Sequence, residues 1–191
     1  MDEAKTQRSL SLQDEEGLVQ RAQKQDHQAF AQLYEAYFDK IYKYVSFRVR
    51  NEMEAEDMTQ QVFMKVLNSI SSYKNQGVPF SSWVYRIAHN VVVDFMRQQN
   101  KKATVDIDGL QLVSPVEDLQ HKIEREMDLE ELKKASRRLT ASQQEVLTLR
   151  FTGELSINEC AQIMGKSEGA IKALQHSAVL ALRKALVVNC L

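Results

Sequence analysis

Residues 139–186 constrain the fold more than any other part of this chain. Side chains that can cap the start of a helix occur there three times, as Thr140 with Gln143, Ser156 with Glu159, and Ser167. The first two are capping boxes, in which two side chains satisfy two free backbone N–H groups reciprocally. Gly165 lies between the second and third starts, where a sharp turn favours a left-handed backbone. The segment therefore predicts three helices joined by short turns.

The apolar positions of this segment fall in the register of a helix-turn-helix. Ala161 lies where two helices must cross closely, and the inward positions are Cys160, Met164, Ile171 and Leu174. The second helix of this motif enters the major groove of DNA by its N-terminal residues. The residues that we expect to face DNA are Ser167, Glu168, Gly169, Lys172, Ala173, Gln175 and His176. A plain helical hairpin is the alternative.

Residues 79–102 predict one long helix with two different faces. The apolar stripe consists of Val84, Ile87, Ala88, Val91 and Phe95, and the polar stripe of Arg86, Asn90, Asp94, Arg97 and Lys101. We expect Ser81 or Ser82 as N-cap, with Phe80 packed on Tyr85. Trp83 is expected in the core rather than as a wedge between bases. The polar stripe suits nucleic-acid contact, and a solvated face is the alternative.

Three further helices are predicted before this one. Residues 14–24 form a short helix, and Asp26 caps a longer one whose aromatic residues are expected in the core. The third helix, within residues 51–73, has an expected buried stripe of Ala55, Met58, Val62, Val66 and Leu67. Acidic residues in its first turns favour the helix dipole. Its polar side, with Asp57, Gln60, Gln61 and Lys65, could also dock a partner.

Helical periodicity disappears between Lys102 and Pro115, where turn-forming residues predict a flexible linker. We therefore predict an all-α fold with two small helical domains, a first domain at residues 13–101 and a second at 120–191, joined by a linker at 102–119.

Composition limits the function classes. The chain has 25 Lys and Arg against 26 Asp and Glu, so its net charge is near zero. A protein that binds DNA unaided usually has an excess of positive charge, because its affinity comes largely from neutralising phosphates. Two cysteines and four histidines are scattered without metal-ligand spacing, so we expect no metal, cofactor or small-molecule substrate. The N-terminal residues are polar and no apolar run has membrane-spanning length, so we expect a cytoplasmic protein without membrane insertion.

Taken together, these segments resemble the sigma factors of the extracytoplasmic-function group, within the sigma-70 family. The resemblance rests on AFAQLYEAYFDKIYKYV, AEDMTQQVFMKV, FSSWVYRIAHNVVVDFMRQ and LTASQQEVLTLRFTGELSINECAQIMGKSEGAIK, in that order. It covers nearly the whole chain after the N-terminal tail. It implies two helical domains, regions two and four, that bind core RNA polymerase, read a bipartite promoter and melt DNA without catalysis. It also implies an anti-sigma factor as partner.

The resemblance assigns roles to particular residues. It implies that the β and β′ subunits of the polymerase are docked by Asp57, Gln60, Gln61, Met64 and Lys65. It implies that the minus-ten element is bound by the loop at 72–81, including Tyr73 and Lys74, and by Asn90, Asp94, Arg97 and Lys101. The minus-thirty-five element is assigned to the helix that begins at Ser167.

Two other classes of protein remain open at this point. An autonomous helix-turn-helix regulator would normally dimerise on a palindrome, and the sequence has no dimerisation heptads. A structural helical adaptor would use neither polar surface to contact DNA. An enzyme is disfavoured because the sequence has no recognisable catalytic constellation.

Overall fold

The computed structural model describes residues 12–49, 51–75, 77–103, 132 and 134–189, and every regular element in these ranges is helical. The first domain contains α1 (Leu12–Gln23), α2 (His27–Ser46), α3 (Glu52–Ser69), a short 3₁₀ turn (Ile70–Ser72) and α4 (Phe80–Ala103). The second domain contains α5 (Ala141–Leu147), a π-helical turn (Thr148–Thr152), α6 (Ile157–Met164) and α7 (Glu168–Asn189). The predicted all-α fold is confirmed.

The predicted helix starts are confirmed at three places. Asp26 accepts hydrogen bonds from the backbone N–H groups of the second and third residues of α2, at 3.0 and 3.1 Å. Both capping boxes are formed, at Thr140 and at Ser156. Gly165 ends α6 with φ 62°, in the left-handed region that the sharp turn requires. The backbone of the helix-turn-helix is therefore encoded by local side chains.

The predicted N-cap of α4 is wrong. The helix begins at Phe80, before both Ser81 and Ser82, and directly follows Pro79. A proline suits this place because its fixed φ and missing N–H do no harm at a helix start. Ser82 is buried inside the first turn, where its hydroxyl donates to Glu159 of the second domain.

The four helices of the first domain pack their apolar faces into one core. Its fully buried members include Ile41, Tyr44, Val62, Val84 and Val92. The aromatic residues of α2 belong to this core, as the sequence predicts; the ring of Tyr34 meets that of Phe63 at 4.7 Å. The prediction that Leu67 belongs to the buried stripe of α3 is wrong, because its side chain is 41% exposed.

The second domain is built around the π-helical turn. Leu149 of this turn and Ile171 of α7 are fully buried, and Cys160 of α6 belongs to the same buried cluster. Gly153 follows the turn, and a Cβ atom there would lie 2.7 Å from the carbonyl oxygen of Leu149. A larger residue would force the backbone apart, so the chain needs glycine at this point.

The two domains are packed against each other. α4 contacts α6, and α2 contacts the π-helical turn. Buried apolar residues form one continuous cluster that contains members of both domains. α4 continues to Ala103, and residues 104–131, which contain most of the predicted linker, lie outside the described ranges. Within the part of the chain that the structure describes, no helix is both long enough and apolar enough to span a bilayer.

Candidate polymerase-binding and DNA-binding surfaces

The exposed face of α3 is the first candidate surface. Asp57, Gln60, Gln61, Met64 and Lys65 line a shallow depression of about 410 Å³. All five side chains are exposed, as a docking role requires. We call these five residues the α3 surface.

Sequence reasoning missed two apolar residues beside the α3 surface. Met53 is 70% exposed and Leu67 is 41% exposed, and helical spacing puts both on the same side of α3 as Met64. Exposed apolar side chains on one helix face are compatible with a protein-binding site. The signal was present in the sequence as spacings of eleven and three residues from Met64, but those positions are also compatible with burial.

The polar stripe of α4 is the second candidate surface. Asn90, Asp94 and Arg97 are exposed, and Nη1 of Arg97 lies 3.7 Å from Oδ1 of Asp94. Lys101 lies on the same helix, but its side chain is outside the described residues. The stripe therefore offers amide and carboxylate oxygens and at least one cation on one side of α4.

The loop that precedes α4 is held by aromatic contacts. Tyr73 is buried, and its hydroxyl donates to the carbonyl of Val78 at 2.8 Å. Its ring lies 5.1 Å from the ring of Trp83, which is half-buried. Lys74 is exposed beside it. Of the two residues assigned to DNA in this loop, Tyr73 is therefore positioned to shape the loop and Lys74 to contact a ligand.

A cavity of about 550 Å³ lies between this loop and α1. Glu15, Glu16, Gln20 and Gln23 of α1 form one wall, and Lys74 is part of the other. The Nε2 atom of Gln23 donates to the carbonyl of Tyr73 at 2.7 Å, which fixes the loop on the helix. The contribution of α1 to this site was not predicted, because nothing in its own periodicity indicates which loop it contacts.

The N-terminal half of α7 is the third candidate surface. Ser167, Glu168, Gly169, Lys172, Ala173 and His176 are exposed, whereas Gln175 is half-buried. The inward positions agree with the predicted register, since Ile171 is fully buried and Leu174 packs against the core. The helix-turn-helix therefore exposes six of the seven predicted residues, and Gln175 is only partly accessible.

Two of the side chains on α7 are engaged by neighbouring residues. Oε1 of Gln175 accepts a hydrogen bond from Nε of Arg150 at 3.2 Å. Oε1 of Glu168 accepts from Nδ2 of Asn158 on α6 at 2.9 Å. Because a guanidinium can only donate, the amide of Gln175 has its oxygen toward Arg150 and keeps its NH₂ group for another partner.

Cys160 is a core residue, as the sequence predicts. It is fully buried, and burial raises the pKa of its thiol to about 11. The reactive form of cysteine is the thiolate, which is scarce at neutral pH when the pKa is that high.

Comparisons with known proteins match both domains of this chain. The Sigma-70 region 2 family matches residues 33–102, and the Sigma-70, region 4 family matches residues 137–184. The chain is 38% identical over 174 residues to the ECF RNA polymerase sigma factor BldN of Streptomyces coelicolor, an alignment that covers 88% of this chain and 64% of BldN. It is 30% identical over 155 residues to the RNA polymerase sigma factor YlaC of Bacillus subtilis, covering 80% of this chain and 88% of YlaC.

A solved structure supports the fold. The sigma factor RpoE of Bartonella quintana, in a co-crystal with the anti-sigma factor NepR, matches with a TM-score of 0.72 at 23% identity, covering 83% of this chain and 97% of that one. The class of fold is therefore a helical protein with two domains. The chain belongs to the extracytoplasmic-function group of RNA polymerase sigma factors. This membership does not favour the alternative of an autonomous regulator.

Proposed function

We propose that this chain directs core RNA polymerase to a bipartite promoter and melts the minus-ten element to initiate transcription. The observation that carries the proposal is that one chain presents an exposed partly apolar face on α3 and, on a separate domain, the outer side of a helix-turn-helix. The protein acts as a non-catalytic subunit in the cytoplasm, where its polymerase is. Its partners are the β and β′ subunits, promoter DNA and an anti-sigma factor, in keeping with the group to which it belongs.

The α3 surface is the proposed polymerase contact. It combines a carboxylate, two amides and a cation with the exposed side chain of Met64, which is 58% exposed. Interfaces of this kind derive affinity from an apolar centre and specificity from the polar groups around it. The near-zero net charge of the chain suits a subunit whose affinity for DNA comes largely from the polymerase it joins.

Replacing Asp57 and Gln61 together by alanine is expected to weaken binding to core polymerase by about tenfold or more. Both side chains are exposed, so the melting temperature should stay nearly unchanged. The matched control is Gln32→Ala with Glu35→Ala, an exposed amide and carboxylate on α2. A fluorescence titration with core polymerase measures the effect, and equal affinity of both double variants would refute the assignment of the α3 surface.

The minus-ten contact is proposed for the cavity between α1 and the loop, together with the polar stripe of α4. Opening a duplex requires unstacking of bases, which costs a few kcal/mol and must be offset by binding of the extruded base. A cavity of about 550 Å³ lined by amides, carboxylates and Lys74 can accept such a base. Phosphates nearby would be contacted by Lys74 and Arg97.

The minus-thirty-five contact is proposed for the outer side of α7. Lys172 is exposed and would neutralise a phosphate, whereas Gln175 would read a base edge. The hydrogen bond from Arg150 occupies the oxygen of Gln175, so its NH₂ group would donate to an acceptor such as O6 or N7 of guanine, or O4 of thymine.

Gln175→Ala is expected to relax preference at one position of the upstream element, with a change of about 1 kcal/mol, because a single hydrogen-bonding group is lost. Lys172→Ala is expected to weaken binding to all sequences alike and to lower the salt slope by about one. Transcription of a randomised upstream-element library by each reconstituted holoenzyme distinguishes the two effects. Identical library preferences and identical salt dependence for both variants and the unchanged chain would exclude α7 as the reader.

The experiment that tests the proposed function is transcription from a library of genomic fragments by core polymerase with and without the full-length chain. With the chain present, we expect transcripts that begin at discrete sites, each preceded by two shared sequence elements. Transcripts with the same start sites from core polymerase alone would contradict the proposal, as would the absence of new transcripts when the chain is added.

A further inference from the structure

A carboxylate of the second domain is inserted into the first domain. Glu145 of α5 is buried, and its Oε1 atom contacts three side chains of the first domain. The hydroxyl of Tyr44 donates to it at 3.5 Å, and Nη1 of Arg48 lies 3.5 Å away. Nδ1 of His89, on α4, is in hydrogen-bonding contact with the same oxygen. We call Tyr44, Arg48, His89 and Glu145 the interdomain cluster.

The charges of the interdomain cluster depend on one another. The side chains of Arg48 and Glu145 are only 2% and 8% exposed. Burial alone raises the pKa of Glu145, but the hydrogen bond with His89 and the charge of Arg48 outweigh it and hold the pKa below its ordinary value. Glu145 is therefore an anion at neutral pH. Nε and Nη1 of Arg48 make no hydrogen bond among the described residues, so the buried guanidinium relies on the nearby carboxylate.

Contacts beside the interdomain cluster hold the same interface. The hydroxyl of Ser82 donates to Glu159 of α6, and the hydroxyl of Tyr85 donates to the carbonyl of Thr152 at 3.4 Å. A Cβ atom on Gly153 would lie 3.0 Å from Cζ of Tyr85, so the Tyr85 ring packs closely against the backbone at Gly153. Packing and charge together hold the two domains in contact. We call this arrangement, in which the domains touch each other, the closed arrangement.

The closed arrangement links the helices that carry the proposed DNA-binding residues through direct side-chain contacts. Ser82 of α4 contacts Glu159 of α6, and the neighbouring Asn158 donates to Glu168 at the start of α7. The minus-ten and minus-thirty-five elements, by contrast, have centres about 25 base pairs apart, or roughly 85 Å at 3.4 Å per base pair. The closed protein can therefore engage one element but not both, an argument that rests on the proposed function.

We propose that the interdomain cluster is a latch that holds the free protein closed and must release Glu145 before both promoter elements are read. Removing one member of a buried charge pair leaves the other charge unpaired, which destabilises the closed arrangement. Replacing both members by apolar residues of similar size can restore it, because no buried charge remains. Arg48 and Glu145 should therefore show reciprocal rescue.

Energy transfer between two dyes on the full-length free chain tests the latch. The dyes are attached at Gln32→Cys and Lys184→Cys, two exposed positions on different domains, in a Cys190→Ser background. Cys160 is buried and needs no replacement. Arg48→Met and Glu145→Met are each expected to raise the ratio of open to closed protein by at least about tenfold. The double variant is expected to return close to the unchanged chain.

Two controls keep the result interpretable. Glu35→Met removes an exposed carboxylate of the first domain and should leave the energy transfer unchanged. Glu145→Gln keeps the size of the side chain and tests the latch independently if a methionine variant unfolds; it should open the protein without loss of helicity. Equal energy transfer in the unchanged chain and in every folded single variant at Arg48 and Glu145 would overturn the latch. So would a double variant that is more open than either single one.

Transcription is measured separately, so that the two proposals can fail separately. Reciprocal rescue without any promoter-dependent transcript would support the latch and refute the proposed function. Promoter-dependent transcription by a free chain that is already open would support the proposed function and refute the latch.

Discussion

Holoenzyme that carries Asn90→Ala and Asp94→Ala is expected to bind its promoter but to open the minus-ten element about a hundredfold less efficiently. The two side chains lie one turn apart on the exposed face of α4, and Asp94 also holds Arg97 at 3.7 Å. Losing contacts that offset base unstacking, which costs a few kcal/mol, reduces the population of open complex by about this factor. The upstream contacts through α7 are unaffected, so the closed complex should still form.

Permanganate footprinting measures this opening defect. Reactive thymines in the minus-ten region should be present with the unchanged chain and nearly absent with the double variant, while a gel shift detects DNA binding by both. The control is again Gln32→Ala with Glu35→Ala, which removes an amide and a carboxylate from α2. Normal thymine reactivity in the Asn90 and Asp94 variant would refute the role of the polar stripe.

Leu149→Ala is expected to lower the free energy of unfolding by about 3 kcal/mol, within a range of roughly 2 to 5 kcal/mol. Leu149 is fully buried in the π-helical turn, and it belongs to the apolar cluster that contains residues of both domains. Truncation removes its transfer free energy and leaves a cavity that the surrounding helices fill only in part.

Urea unfolding followed by circular dichroism measures this loss of stability. Leu180→Ala is the matched control, because Leu180 is 52% exposed on α7 and its truncation should change stability by about 0.5 kcal/mol or less. A Leu149→Ala protein as stable as the Leu180→Ala protein would contradict the packing described for the second domain.

Local signals in the sequence predict the local structure well. Asp26, Thr140 and Ser156 cap the helices as expected, and Gly165 adopts the left-handed turn, because each acts on backbone groups within a few residues. Ser82 is the exception. A serine near a helix start suits a cap, but here Pro79 sets the start and the serine hydroxyl is used for an interdomain contact.

The spacing of apolar residues along a helix does not show which distant segments that helix contacts, and this limits what the sequence alone predicts. Leu67 fits the buried stripe of α3 by spacing, yet α3 exposes it beside Met64, because the width of a buried face is set by the neighbouring helices. Glu145 has the pattern of a surface carboxylate on a short helix, and only its contacts with Arg48 and His89 of the first domain reveal its buried role. The family resemblance, rather than the spacing, assigned the α3 surface to polymerase.

We expect this one chain to let core polymerase read two separate promoter elements at a fixed spacing. The measurement that tests it most directly is run-off transcription from a series of templates whose two elements are separated by spacers of increasing length. We expect strong transcription at one spacer length, weak transcription one base pair away, almost none after an insertion of about half a helical turn, and none without the chain. Equal transcript yield at every spacer length, or transcription that requires a different sigma factor in addition to this chain, would contradict it.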